Sequence, residues 1–485
     1  MHQRRQGHEI KVEQEQPTLR RRKKRRMTRS VDVRQMLITA SMVLVLLASM
    51  AYVVSSLYSL IAWMRQPQRV GGGHHHRKEN ADDEVDILPW NPIYRVPEAM
   101  ETVGDRSDAY AQLRMEYDQL LPVNKERSMA YVKDQPQYLA YSMDVHNSDQ
   151  VAYDIYNCPE TPPAGYPFAW KITQILESWP ADDTSSHSHI YQGLCVFDYE
   201  TDYQKAVNYR NAELPFVVVN DPQVARAVER WNQPDYLSRM LGDALHRTEY
   251  SENNHFMYYT PQGGVRRRRH NSNVPENWKE PTEMMRMTYD DWLEHANITD
   301  DSQLGPDHPH WYFRLIGCGY MGADGSCDAG SSEYLFDELP FFQPKESLYI
   351  VDPDEQKGIH CRFGMKGVIA ENHFDGSRNA IVVLGGSRRY ILSHPDQCEN
   401  LALFPKGHPS ARHSSVEWSN PEDWENYPEF QNDAFGNEVV MQAGQVLYLP
   451  TNWFHFIVSL ELNFQCNTRS GISEEYMAPI HDCGF

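Results

Sequence analysis

The sequence predicts a mainly β fold, a barrel or sandwich core decorated with helices and preceded by one membrane-spanning helix. Three observations carry that expectation. From Trp311 onward, short apolar runs alternate with Gly, Pro and Asn turns, the pattern of many short strands. Segments with helical spacing are concentrated ahead of that region. Residues 36–64 form 29 consecutive positions without a formal charge, and a spanning helix needs about 20 apolar residues.

Charge sets the expected topology. The chain carries 46 Lys/Arg and 67 Asp/Glu, of which 12 and four lie in residues 1–35, so that tail is at +8 and the remainder at −29. Positive residues prefer the cytosolic side of a membrane. The expected arrangement is a basic cytosolic tail (1–35), a transmembrane signal-anchor helix (36–64) and a non-cytosolic remainder: a single-pass type II membrane protein of the endoplasmic reticulum or Golgi with a lumenal domain. A cleaved leader would have a shorter apolar core, of about 7–15 residues. All eight cysteines follow the uncharged run, none as a Cys-x-x-Cys zinc pair, and Asn297-Ile298-Thr299 is a glycosylation sequon; both suit an oxidising lumen and a glycoprotein. A domain this acidic repels phosphate backbones, so nucleic acid is not an expected partner of it.

The remaining elements come in chain order. Residues 65–104, with three Gly and three His at 71–76 and mixed charge, read as a stem. Residues 105–189 read as an irregular, partly helical extension. It opens with a helix over 108–121, where Ala109, Leu113, Tyr117 and Leu120 keep helical spacing ahead of Pro122. The main domain spans 190–485. It has a strand at 214–219, a helical stretch at 224–241 split by Pro234, a strand at 255–259 and a helix at 289–295. Arg266 to Arg269 fall in a loop. Ala380 to Leu384, a Gly385-Gly386-Ser387 turn and Arg388 to Leu392 read as a hairpin.

The chemistry-bearing residues lie around that hairpin. In His373-Phe374-Asp375, positions i and i+2 of a strand project to one side, so an imidazole and a carboxylate can converge. His455 supplies a second imidazole some way on. Two imidazoles and one carboxylate leave open positions on a metal and suit Fe(II). A dicarboxylate co-substrate bound there needs a cation at its far end, and Arg388 is the candidate. Strand alternation sends Arg388 and Arg389 to opposite faces without saying which points inward.

These stretches, Gly358 to Leu392 and Val446 to Asn467, resemble the cupin-like branch of the Jumonji-C oxygenases, which includes the asparaginyl hydroxylase acting on hypoxia-inducible factor. The resemblance implies a double-stranded β-helix (jelly-roll, cupin-like) and an Fe(II)- and 2-oxoglutarate-dependent dioxygenase, a hydroxylase of a protein side chain or glycan. Its partner would be a secretory or membrane protein substrate. The resemblance further implies that His373, Asp375 and His455 hold the iron and Arg388 the distal carboxylate of 2-oxoglutarate, where the family usually has lysine. It places Asn379 and Asn467 near the keto-acid end and Tyr312 on the distal carboxylate. Ala370 stands where the asparaginyl hydroxylase has threonine. Arg469 is a rival anchor, since some oxygenase branches carry their cation on that later strand. Two alternatives stay open: a non-catalytic cupin-like binding module, and a cupin metalloenzyme that does not use 2-oxoglutarate.

Overall fold

The computed structural model describes residues 103–120, 151–187, 189–260, 274–317 and 334–485. The chain divides into two units, Met1–Asp86 and Ile87–Phe485, and all the described residues belong to the second. The basic tail, the uncharged run, the stem, Arg266 to Arg269, Cys318 and Cys327 lie outside the described residues. Among the described residues, no helix is long and apolar enough to cross a membrane.

The described chain is mainly β. Its strands are β1 (Trp170–Lys171), β2 (Val196–Asp198), β3 (Phe216–Val219), β4 (His246–Ser251), β5 (His255–Phe256), β6 (Glu283–Met287), β7 (His310–Ile316), β8 (Gln356–Gly364), β9 (Ile369–Phe374), β10 (Asn379–Gly385), β11 (Ser387–Ser393), β12 (Phe435–Gln442), β13 (Val446–Leu449), β14 (Phe454–Ser459) and β15 (Asn463–Ser470). They form two sheets, ordered β1-β12-β11-β14-β9-β5 and β2-β3-β13-β10-β15-β8-β7-β4-β6. At their centre, β8 to β15 divide between two facing four-strand sets, β8-β15-β10-β13 and β9-β14-β11-β12, and successive strands alternate between the sets except at β11 and β12, which pair with each other. That is the jelly-roll arrangement.

This alternation corrects the hairpin expected around Gly385-Gly386-Ser387. β10 pairs with β13 and β15, whereas β11 pairs with β12 and β14, so the two strands lie in opposite sheets. Gly386 carries the chain across at φ 64°, and a Cβ there would overlap the Leu462 carbonyl oxygen. Only glycine fits such a turn. The strand expected over 255–259 shrinks to His255–Phe256, a short parallel addition beside β9.

Three apolar layers build the domain. The interior layer between the sheets includes Ile381, Val383, Tyr390, Leu392, Leu447 and Ile457. Alternate residues of β10 (Ala380, Val382, Leu384) face the opposite way into a layer under helices. One of these, Pro222–Trp231, starts where the Asp221 carboxylate accepts the amides of Gln223 and Val224, with Pro222 in the first turn. It buries Val224, Ala227, Val228 and Trp231, one helical stripe. Each of the two valines contributes roughly 1.5–3 kcal/mol when fully buried, and the Ala227 methyl less. Tyr236–Leu241 follows as a separate helix beyond Pro234, as expected. The helix expected over 108–121 spans Val103–Leu120, with Leu113 and Tyr117 buried and Leu120 exposed. Three disulfides, Cys158–Cys195, Cys361–Cys466 and Cys398–Cys483, tie the described parts together.

Candidate active site

Strand pairing brings the two imidazoles together. β9 and β14 run antiparallel with His373 opposite His455, and the rings lie 4.2 Å apart between centroids. Asp375 follows β9 directly; its backbone carbonyl accepts the Asn452 amide at 2.9 Å, fixing the loop ahead of β14 against it. Ligand atoms of His373, Asp375 and His455 all lie within 4.8 Å of one another.

The hydrogen bonds set the tautomers. His373 Nδ1 meets the Glu371 carbonyl at 2.7 Å and His455 Nδ1 meets the Trp453 carbonyl at 3.1 Å. A carbonyl only accepts, so each Nδ1 carries the proton and each Nε2 presents a bare lone pair. Burial pushes both imidazoles below the ordinary histidine range, His373 furthest because His455 and His413 add to the effect. Burial alone would raise the Asp375 carboxyl; Arg469, His373 and His455 outweigh it and hold the group below the usual carboxylate range. Two neutral nitrogen donors and one carboxylate fit a divalent first-row ion such as Fe(II).

The polar lining continues along the inner face of β15. Asn463, Gln465, Asn467 and Arg469 share that face by alternation. Asn467 Nδ2 donates to Asn379 Oδ1 at 2.8 Å, and Asn379 Nδ2 reaches Asp375 Oδ2 at 3.4 Å, so Asn379 adjoins the metal-site carboxylate and Asn467 stands one hydrogen bond behind it. Arg469 Nη2 donates to the same Asp375 oxygen at 2.6 Å. The rival anchor is therefore a partner of the metal-site carboxylate. Ala370 offers no side-chain donor and packs against the interior apolar layer.

Arg388 lies deeper. It is 0% exposed, and its guanidinium donates to Asn463 Oδ1, to Gln465 Oε1 at 2.5 Å, to Tyr312 Oη at 2.9 Å and to the Arg362 carbonyl at 3.0 Å. These partners stand on the opposite sheet, so Arg388 points into the barrel. All four are neutral, and no carboxylate among the described residues meets this buried cation. A buried charge without a counter-charge is costly. A ligand carboxylate would supply that counter-charge, with Tyr312 already beside the cation. Arg389 points the other way, pairing with Glu438 at 2.5 Å and stacking on Trp179 at 4.3 Å.

Sequence reasoning missed several neighbours. His413 stacks on His373 with centroids 4.9 Å apart, delivered by a loop that no motif marks. Gln465 and Asn463 were findable, because polar residues at every second position of 463–469 signal a polar inner face. Arg314 and Arg362 line the same interior and carried no signal separable from solvent-facing charge.

Comparison with known proteins places this geometry in a family. A family model described as cupin-like domain matches residues 204–469, more than half of the chain. Lysine-specific demethylase 8 of Xenopus tropicalis is 28% identical over 138 residues, 27% of this chain and 30% of that protein. Lysine-specific demethylase JMJ30 of Arabidopsis thaliana is 21% identical over 259 residues, 51% of this chain and 48% of that protein. tRNA wybutosine-synthesizing protein 5 of Gallus gallus is 28% identical over 106 residues, 22% of this chain and 31% of that protein. The chain thus spans less than half the length of these relatives. On the matched model and the jelly-roll that carries it, the chain belongs to the cupin-like domain family.

Proposed function

We propose that this protein is an Fe(II)- and 2-oxoglutarate-dependent oxygenase that hydroxylates a side chain of a secretory or membrane protein. The observation carrying the reading is the pairing of the His373, Asp375 and His455 donor set with a buried, carboxylate-free Arg388 in the same barrel. Two relatives are named lysine-specific demethylases, which supports the oxygenase class. Hydroxylation, as in the asparaginyl hydroxylase branch, is the finer proposal.

Bound iron supplies the oxidising chemistry, O2 and 2-oxoglutarate together yielding a hydroxylated carbon, succinate and CO2. The chain's own residues bind and orient. Neutral His373 and His455 offer Nε2 without first losing a proton, and Asp375 is already ionised. Arg388 and Tyr312 hold the distal carboxylate, while Asn379 and Asn467 supply amides at the metal end. The interior apolar layer of Leu392 and Ile457 limits water around the reacting groups.

We further infer that the domain is lumenal and stands behind a signal-anchor. Three disulfides and an exposed Asn297 in the sequon support an oxidising lumenal compartment. The basic tail and uncharged run support a signal-anchor, with the stem at 65–104, the extension at 105–189 and the oxygenase domain at 190–485.

The decisive experiment measures succinate formed by the purified full chain with added Fe(II) and 2-oxoglutarate. Turnover that requires both and disappears in His373→Ala supports the reading. Iron binding without any succinate, even with pooled secretory peptides present, favours the non-catalytic module.

A further inference from the structure

The barrel interior holds more positive charge than its proposed contents neutralise. Cross-strand register sets Arg314 opposite Arg362, and Arg362 opposite Gln465, so two guanidinium-bearing residues stand side by side on the inner face. Like charges directly opposite one another destabilise a sheet. Arg314, 9% exposed, pairs with Glu249, and its Nε has no partner. Half-buried Arg362 donates to the Cys361 carbonyl at 3.2 Å and pairs with no carboxylate among the described residues. Arg469 uses one nitrogen on Asp375, and its buried Nε also lacks a partner. His360, opposite Asn467, feels this field: burial, then Arg362 and Arg469, push it down to about 4.

Arg314, Arg362, Arg388 and Arg469 face two carboxylates, Glu249 and Asp375. The two positive charges of Fe(II) and the two negative charges of 2-oxoglutarate cancel, so these groups keep a surplus of two positive charges when the site is filled. The chain as a whole carries −21. A cationic interior inside an acidic protein selects a single small anion and repels a polyanion.

We infer that Arg314, Arg362 and Arg469 form a second anion subsite, which takes an oxyanion on the side chain of a peptide substrate oxidised close by. The inference rests on the oxygenase reading and extends it to the substrate. Because Arg469 touches the metal-site carboxylate, an anion spanning Arg362 and Arg469 would lie next to the reacting carbon. The oxyanion is the carboxylate of Asp or Glu, or the phosphate or sulfate ester of a modified residue; all suit the guanidinium fork.

The test is calorimetric binding to the full chain loaded with Mn(II), with and without saturating 2-oxoglutarate. The probes are a Glu-containing hexapeptide, its phosphoserine and sulfotyrosine counterparts, and the Gln-containing twin. At least one anionic peptide should bind about tenfold more tightly than the neutral twin, and the tightest identifies the source. Arg362→Gln should remove that preference, and Arg362→Lys should keep most of it. Arg314 is left intact so that Glu249 keeps its partner. Equal affinity for all four peptides, an unchanged preference in Arg362→Gln, or displacement of 2-oxoglutarate by the anionic peptide would each overturn the inference. Failure to bind 2-oxoglutarate defeats the oxygenase reading instead, and the titrations without it still decide the subsite.

Discussion

Arg469 donates to Asp375 Oδ2 at 2.6 Å, on the oxygen that stands 4.0 Å from His455 Nε2. The carboxylate at the centre of the donor set is thus oriented and kept ionised by an arginine from the facing sheet. Removing Arg469 leaves the ligand in place but frees its rotation and lets protons compete for it. Partners of this kind affect metal affinity by about 10–100-fold. Arg469→Ala should weaken Mn(II) or Fe(II) binding within that range, measured by competition with a chelator. An unchanged metal affinity, with a large loss of 2-oxoglutarate binding, would return Arg469 to the role of co-substrate anchor.

Loss of a donor should act more severely. His373→Ala, Asp375→Ala and His455→Ala each leave two ligands, which hold a divalent ion poorly. Metal content after dialysis should fall to near zero in each variant while circular dichroism stays that of the parent. Full metal content in any one of them removes that residue from the donor set.

Gly386 sets the crossing between the sheets. Its φ of 64° and the closeness of the Leu462 carbonyl leave no room for a side chain. Gly386→Ala should destabilise the domain by about 2–4 kcal/mol in chemical denaturation, combining left-handed strain with backbone displacement. A change below about 0.5 kcal/mol would contradict that packing.

His255 gives a pH signature away from the barrel interior. Burial works against its charged form, yet the Glu371 carboxylate at 2.5 Å, with Glu417 beyond, raises it from 6.5 to about 9. Since the folded value exceeds the unfolded one, the ion pair contributes fully below pH 6.5, and the contribution fades as pH rises towards 9. The wild type should exceed His255→Gln in unfolding free energy by on the order of 2 kcal/mol at pH 6, converging by pH 9.5. A difference that is constant with pH would mean the pair is not ionic.

Local pattern revealed some of this architecture and concealed the rest. The i, i+2 spacing of His373 and Asp375 was legible because alternation on a strand needs no knowledge of partners. Pro234 was legible because it breaks a helix wherever it stands. The Gly385-Gly386-Ser387 turn misled, since a tight turn looks the same whether the chain folds back beside itself or crosses to a facing sheet. The difference lies in the distant pairings of β10 with β15 and of β11 with β14. Arg388 and Arg389 could be separated but not oriented, and their partners Asn463 and Glu438 decided the faces. Arg314 and Arg362 stayed hidden because a charge in a strand ordinarily signals solvent.

The most direct measurement is metal-dependent 2-oxoglutarate binding to the full chain, wild type against Arg388→Ala. Burial without a counter-charge makes Arg388 the group that the distal carboxylate completes. Losing one partner of such a pair costs about 3–5 kcal/mol, a factor of hundreds or more in affinity. The expected result is 2-oxoglutarate binding that requires Mn(II) or Fe(II), weakened at least a hundredfold in Arg388→Ala with metal still bound, and partly restored in Arg388→Lys. An Arg388→Ala chain that binds 2-oxoglutarate as the wild type does, or a wild type that binds metal but no 2-oxoglutarate, would contradict the assignment of this barrel to 2-oxoglutarate chemistry.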